Sequence, residues 1–223
     1  DQGYDLDGIL KKVNDKTKMV VITNPNNPTG QYLSYDAIES FIQKIDKHVV
    51  VLIDEAYIEL ATAPDCKTMI PLIKKYPDQP ILVMRTFSKY YAMAGVRVGY
   101  LIAQKEYIDG INVIPGSTVA RGAQAAALQA LKEQEYYAGL KEKIVAGARY
   151  IEEELRKLGC DVYTTQTNFI LFDPHMNYEE VRDKLLDKGI HISIPMMDRV
   201  SVSTKENNEY FIACMKEILE GSD

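Results

Sequence analysis

No apolar run in this sequence approaches the ~18 residues that a membrane-spanning helix requires, which argues against a membrane protein. Cysteine is scarce: Cys66, Cys160 and Cys214 are scattered through 223 residues with no metal or redox spacing. An odd, sparse count excludes a disulfide scaffold and suits a reducing cytoplasm. Histidine is equally scarce, and His48, His175 and His191 form no local cluster, so a metal site is not expected. Internal repeats and low-complexity tracts are missing. There is no excess of positive charge either. The net charge of −6 argues against a nucleic-acid backbone as partner. The opening stretch, DQGYDLDGIL, is acidic and polar and does not read as a signal peptide. What remains is an ordinary globular composition, 46% hydrophobic and 26% charged, in a chain long enough for one large domain or for one and a half.

The first half alternates strand-like runs with helical periodicity. KMVVITN (18–24), HVVVLID (48–54), ILVMR (81–85) and RVGYLIA (97–103) are predicted strands. Between them SYDAIESFIQKID (34–46) predicts a helix, with Ser34 as N-cap and Ala37, Ile38, Phe41, Ile42 and Ile45 on one face. TMIPLIKKY (68–76) predicts a shorter helix. Unbroken apolar strands are expected to be buried on both faces of an α/β sheet. From about Ser117 to Leu158 the pattern is helical, AQAAALQALKEQ and then LKEKIVAGARYIEEELRKLG. The last part predicts strand (NFILFD), helix (YEEVRDKLLDKG), strand (IHISI), strand (RVSVST) and helix (NNEYFIACMKEILE), a small α+β domain with an antiparallel sheet. The expected division is residues 1–135 and 136–223, the second part including a linker helix.

The first three strands each end in polar residues: Asn24 to Gly30, Asp54 to Tyr57, and Thr86 to Lys89. Ligands of open α/β sheets gather beyond the carboxyl ends of the strands, so these ends predict one shared site. Lys89 is the nucleophile candidate, because a lysine amine that is desolvated or beside positive charge can form Schiff bases. Arg97 supplies such a field and a grip for a phosphate, and Thr86 and Ser88 add hydroxyl donors. A surface lysine at a strand end is the plainer alternative. In NPNNPTG, Asn and Pro set turn geometry and Gly30 permits positive φ. The stretch is either a simple turn or a rigid mount for Asn27 as a donor to an oxyanion. In DEAY, Asp54 ends a buried strand with a charge that needs a partner, such as a cationic ring nitrogen, or else caps a helix. Tyr57 can present its hydroxyl to the same ring. No G-x-G-x-x-G follows any strand, which disfavours a nucleotide-dependent oxidoreductase.

Taken together, NPNNPTG, DEAY and TFSKYYAMAGVRVGY closely resemble the class I/II aminotransferases of pyridoxal-phosphate fold type I, in particular the histidinol-phosphate aminotransferase branch. The resemblance extends through AQAAALQAL and TNFILF. It implies a remnant of that family's mainly parallel large-domain sheet, with helices, followed by a small α+β domain. It implies pyridoxal 5′-phosphate held on Lys89 as an internal aldimine, with Lys89 afterwards shuttling a proton. Asp54 is implied to pair with the pyridinium nitrogen, keeping the ring an electron sink. Tyr57 and Asn27 are implied to hydrogen-bond the ring's phenolic oxygen. Thr86, Ser88 and Arg97 resemble the phosphate ligands. Arg199 resembles the arginine that clamps the substrate α-carboxylate, a task suited to a bidentate fork. Asn168 falls near the implied substrate pocket, or caps a strand. The implied activity moves an amino group from an amino acid to a 2-oxo acid in a cytoplasmic homodimer or other homo-oligomer serving amino-acid biosynthesis.

Three features depart from the family pattern. The family's glycine-containing phosphate turn, ring-stacking aromatic and dimer-crossing tyrosine find no counterpart before Asp1. The sequence is therefore expected to be a C-terminal portion with exposed sheet edges, an exposed helix-facing apolar surface and weak cofactor affinity, those surfaces being covered by an oligomer or a companion piece. Ser193 stands where histidinol-phosphate enzymes usually carry an arginine, and the surroundings at Ile194, Met196 and Met197 read as apolar, or as methionine filling a core. Ser203 stands in place of a glycine before Thr204, which questions the backbone path there. Two other readings stay open: a decarboxylase using the same cofactor, as in threonine-phosphate decarboxylases, and a catalytically silent folding or assembly module.

Overall fold

A computed structural model describes residues 3–113, 118–192 and 198–221. The chain folds as two compact units, residues 1–26 with 32–137, and residues 27–31 with 138–223.

The first unit opens with helix α1 (Leu6–Lys12), whose first turn is capped by Asp5. Strand β1 (Met19–Thr23) leads through the NPNNPTG stretch into α2 (Tyr35–Lys44). β2 (Val50–Asp54) and a 3-10 turn (Ile58–Leu60) precede α3 (Ile70–Lys75). β3 (Ile81–Thr86), a second 3-10 turn (Ala94–Val96), β4 (Gly99–Ile102), α4 (Lys105–Asn112) and α5 (Arg121–Ala130) follow. The strands form one sheet in the order β1-β2-β3-β4. The first three run parallel, and β4 returns antiparallel along β3. Gly99 is required at that return, because a Cβ there would lie 2.9 Å from the Arg85 carbonyl oxygen.

Alternation along the strands sorts the side chains. Ile22, Val51, Ile53, Ile81 and Val83 are fully buried against Ile38, Phe41 and Ile42 of α2 and Leu72 of α3. The opposite face is not closed in the same way. Met19, Val21 and Met84 stand 46%, 51% and 37% exposed. Burial on both faces, expected from the unbroken apolar runs, is not seen, and an apolar surface stands exposed as expected of a sheet remnant: continuous hydrophobicity reports what a face can bury, not what covers it.

The second unit begins within α6 (Gln134–Lys157), which starts in the first. It continues with β5 (Asp161–Val162), β6 (Phe169–Asp173), α7 (Tyr178–Asp187), β7 (Asp198–Ser201) and α8 (Lys205–Glu220). The three strands form an antiparallel sheet, β5-β6-β7. Its core joins Ile151 and Leu155 of α6, Ile170 and Phe172 of β6, Val181 and Leu185 of α7, and Phe211 and Met215 of α8. Two expectations change here. Residues 190–192 are not in a strand, and Ser193 and Ile194 lie outside the described residues. The third strand is instead the two-residue β5, too short to show alternation. The helical stretch from Ser117, itself outside the described residues, is split between residues 130 and 134 into α5 and α6.

All three cysteines are free and buried. Burial pushes the Cys66 thiol up to about 12 and Cys160 up to about 11, so neither is a ready nucleophile. No helix among the described residues is long and apolar enough to cross a membrane.

Candidate active site

In the first unit the ends of the neighbouring strands β2 and β3 carry most of the predicted residues. β2 stops at Asp54, opposite Met84 in the register. Its Oδ1 accepts a hydrogen bond from the Ala56 amide at 3.0 Å, a local turn that ends the strand. Tyr57, only 5% exposed, follows at the head of the 3-10 turn. β3 stops at Thr86, whose Oγ1 accepts from the Ser88 amide at 3.0 Å and lies 3.4 Å from the Val98 carbonyl. The Phe87 amide donates to the same Val98 carbonyl at 3.0 Å. This folding-back brings Lys89 Nζ to 5.2 Å from the centroid of the Tyr57 ring. Thr86 and Ser88 share one turn, and Val98, the residue after Arg97, packs its backbone against it.

Arg97 itself is exposed and adopts a left-handed conformation, φ 60° and ψ 54°, with Nη1 donating to the Ala94 carbonyl at 2.7 Å. Ala92, in the same loop, is also left-handed at φ 54°. Two non-glycine residues in that region of φ/ψ space mark a loop held in shape by its surroundings. Part of those surroundings is aromatic. The Phe87 and Tyr91 rings stack at 4.8 Å, and Tyr91 meets Tyr90 at 4.9 Å and Tyr137 at 5.0 Å. Burial raises the Tyr90 hydroxyl above its ordinary range.

The second unit gathers a different pair. Arg199 of β7 donates from Nη1 to Asn27 Oδ1 at 2.7 Å, and its guanidinium carbon lies 4.5 Å from the centre of the Phe169 ring. Asn27 belongs to this unit because residues 27–31 fold with it. Gly30 has φ 74°, and a Cβ there would come within 2.3 Å of Thr165 Oγ1, while its carbonyl accepts from the Gln166 amide at 2.8 Å. Asn168 is half-buried, and its carbonyl accepts from Val202 N at 2.9 Å, extending the β6–β7 ladder. Ser203 is not among the residues with positive φ, so a side chain is accommodated where a glycine was expected. Its backbone is tied on both sides by Asn208. Ile194, Met196 and Met197 lie outside the described residues, as does Ser193.

The sequence pattern of the aminotransferase class I and II family matches residues 1–214. The chain belongs to the aminotransferase class I and II family. A histidinol-phosphate aminotransferase from Brevibacillus brevis is 35% identical over 227 residues, covering 98% of this chain and 62% of the relative. This aminotransferase-family chain thus spans less than two thirds of that relative's length. The crystal structure of histidinol-phosphate aminotransferase from Sinorhizobium meliloti in complex with pyridoxal-5′-phosphate superposes with a TM-score of 0.88 at 26% identity, over 98% of this chain and 62% of that one. A decarboxylase from Sulfurospirillum multivorans, 22% identical with a TM-score of 0.84 over 97% of this chain and 66% of the other, shares the fold.

Sequence reasoning passed over Glu55 and Arg85 beside the site. Glu55 is fully buried and the Arg85 side chain nearly so. Their strand parity, shared with Ile53 and Val83, was the available signal. Among the described residues no cluster of His, Cys, Asp or Glu is arranged to hold a metal.

Proposed function

We propose that this chain carries the cofactor-bearing lysine of a pyridoxal-phosphate-dependent aminotransferase that moves an amino group from an amino acid, or from an amino-alcohol phosphate such as histidinol phosphate, to a 2-oxo acid. Residues 1–135 are the cofactor-binding part and 136–223 the small domain. One observation carries the reading: at the ends of adjacent strands, Lys89 Nζ opposes the Tyr57 ring at 5.2 Å. The names of the relatives and the family match support it.

The donor set fits the cofactor's chemistry. A primary amine meets its aldehyde, a carboxylate its protonated ring nitrogen, and hydroxyls with a guanidinium its phosphate. When bound, the cofactor supplies an electron sink for charge developing at the substrate's Cα. Lys89 Nζ would hold the group covalently and would carry the proton moved at the substrate. Asp54 holds the positive charge on the ring nitrogen. Tyr57 Oη would donate to the ring's phenolic oxygen, and Asn27 Nδ2 is assigned the same acceptor. Thr86, Ser88 and Arg97 bind the phosphate. The Arg199 fork binds the substrate carboxylate and is oriented by Asn27 Oδ1. Asn168 is placed at the edge of the substrate site. The assembly proposed is a cytoplasmic homodimer or other homo-oligomer.

The test is chemical trapping. Borohydride treatment after incubation with pyridoxal 5′-phosphate should leave a phosphopyridoxyl group mapped by mass spectrometry to Lys89, with none in Lys89→Ala. Label elsewhere on the chain, or none, would sink the reading. Assaying 2-oxo acid against carbon dioxide separates amino transfer from decarboxylation.

A further inference from the structure

Beneath the strand ends that carry the candidate site lies a cluster of three charges. Glu55 and Arg85 share strand parity with the fully buried Ile53 and Val83, so they enter the face packed by helices. Asp54 and Thr86, one residue away on each strand, have the opposite parity. Arg85 joins the two chain segments. Its Nε donates to Glu55 Oε2 at 2.8 Å and its Nη1 to Glu59 Oε1 at 2.6 Å. Glu55 also accepts from the Met69 amide at 2.5 Å and from Thr68 Oγ1 at 2.8 Å. The side chains are 0%, 12% and 19% exposed for Glu55, Arg85 and Glu59.

Burying such a cluster is expensive, and a pair of apolar residues would hold the same volume at less cost. What apolar residues lack is direction. One guanidinium fork fixes two carboxylates in a plane, and each partner is covalently next to a candidate site residue or a few residues from one. Glu55 follows Asp54 directly and Glu59 follows Tyr57 by two. Arg85 precedes Thr86, which opens the turn to Lys89. The Glu55 amide also donates to the Met84 carbonyl at 3.0 Å, which prolongs the β2–β3 ladder to the charged residues themselves.

We propose that the Glu55–Arg85–Glu59 cluster is a positioning device that locks the ends of β2 and β3 together, so that the Tyr57 ring and Lys89 amine stay opposed. The three side chains touch neither cofactor nor substrate in this assignment; they act through the backbone of their neighbours. The proposal rests on the functional reading above, because only a site at these strand ends gives the lock a purpose.

Two measurements on the intact protein test it, with Glu55→Gln, Arg85→Lys and Glu59→Gln as variants. The first is amide hydrogen exchange without cofactor. Loss of the lock should speed exchange at Ala56, Phe87 and Ser88 about tenfold or more, while Val51 and Ile53 at the sheet centre keep their protection. The second is titration with pyridoxal 5′-phosphate, followed by the visible absorbance of the bound group. Affinity should fall about tenfold in Glu55→Gln and less in Arg85→Lys, which keeps the charge but not the fork. Glu59→Gln changes only the outer prong and decides the question should Glu55→Gln not fold. A uniform rise in exchange across the sheet overturns the proposal, since that is the mark of general stability alone. So does exchange or affinity equal to that of the unchanged protein. If the unchanged protein itself binds no pyridoxal 5′-phosphate, the functional reading falls and takes this proposal with it.

Discussion

Asp198 shows how one side chain sets a measurable behaviour. It sits on β7 beside Arg199, is 7% exposed, and its Oδ1 has no hydrogen-bond partner among the described residues. Burial first, and the charge of Asp173 second, push its carboxyl from an ordinary 3.8 up to about 6. The folded state therefore holds this proton more tightly than the unfolded chain. The stability it contributes is complete below about pH 4 and is lost as pH rises through about 6. Asp198→Asn should remove that dependence and stabilise the fold at pH 8 by roughly 1–3 kcal/mol. Urea unfolding at pH 5 and pH 8 checks it, and equal changes at both would count against the assignment. Nothing in DRVS betrays this environment. By contrast the places of Asp54, Tyr57 and Lys89 at or just beyond strand ends were legible, because each closes or follows an apolar strand with a polar group. The Asn27–Arg199 pair was not, since its members are 172 residues apart and no local pattern links them.

Among the elements, α2 is the one whose boundaries the residues state most openly. Ser34 accepts from the Ala37 amide at 3.2 Å, and the buried Ile38, Phe41 and Ile42 follow the apolar period. Ser34→Ala should lower stability by about 1 kcal/mol, and Ser34→Asp should restore most of it, as read by denaturant midpoints. The strands β1 to β4, α7 and α8 were readable for the same reason, an unbroken or periodic apolar pattern between turn residues. α1 was not: it has no fully buried residue, and its partly buried Leu6, Ile9 and Leu10 lie in a short, acidic segment. α4 likewise buries nothing completely, and β5 has only two residues. Elements stabilised by neighbours distant in sequence leave little trace in their own composition.

At the scale of the molecule, the first sheet has two unequal faces, and the difference can be measured with one substitution on each. Val51 is fully buried and Val21 half exposed. Val51→Thr should cost about 1–3 kcal/mol through an unsatisfied buried hydroxyl, whereas Val21→Thr should stay within ~0.5 kcal/mol. Similar losses at both positions would mean that the Val21 face is covered in solution. The apolar strands disclosed that a sheet would form, and of which class. They did not disclose which face stays open, because that depends on what else is present to pack there.

The path of the chain has a practical result for anyone trying to separate the halves. Residues 27–31 fold with the second unit although both their flanks fold with the first, so the polypeptide crosses between the units at 26/27, 31/32 and 137/138. A protease cutting near residue 137 severs one of those crossings and leaves the other two whole. The nicked protein should still elute as a single species under native conditions and come apart only in denaturant.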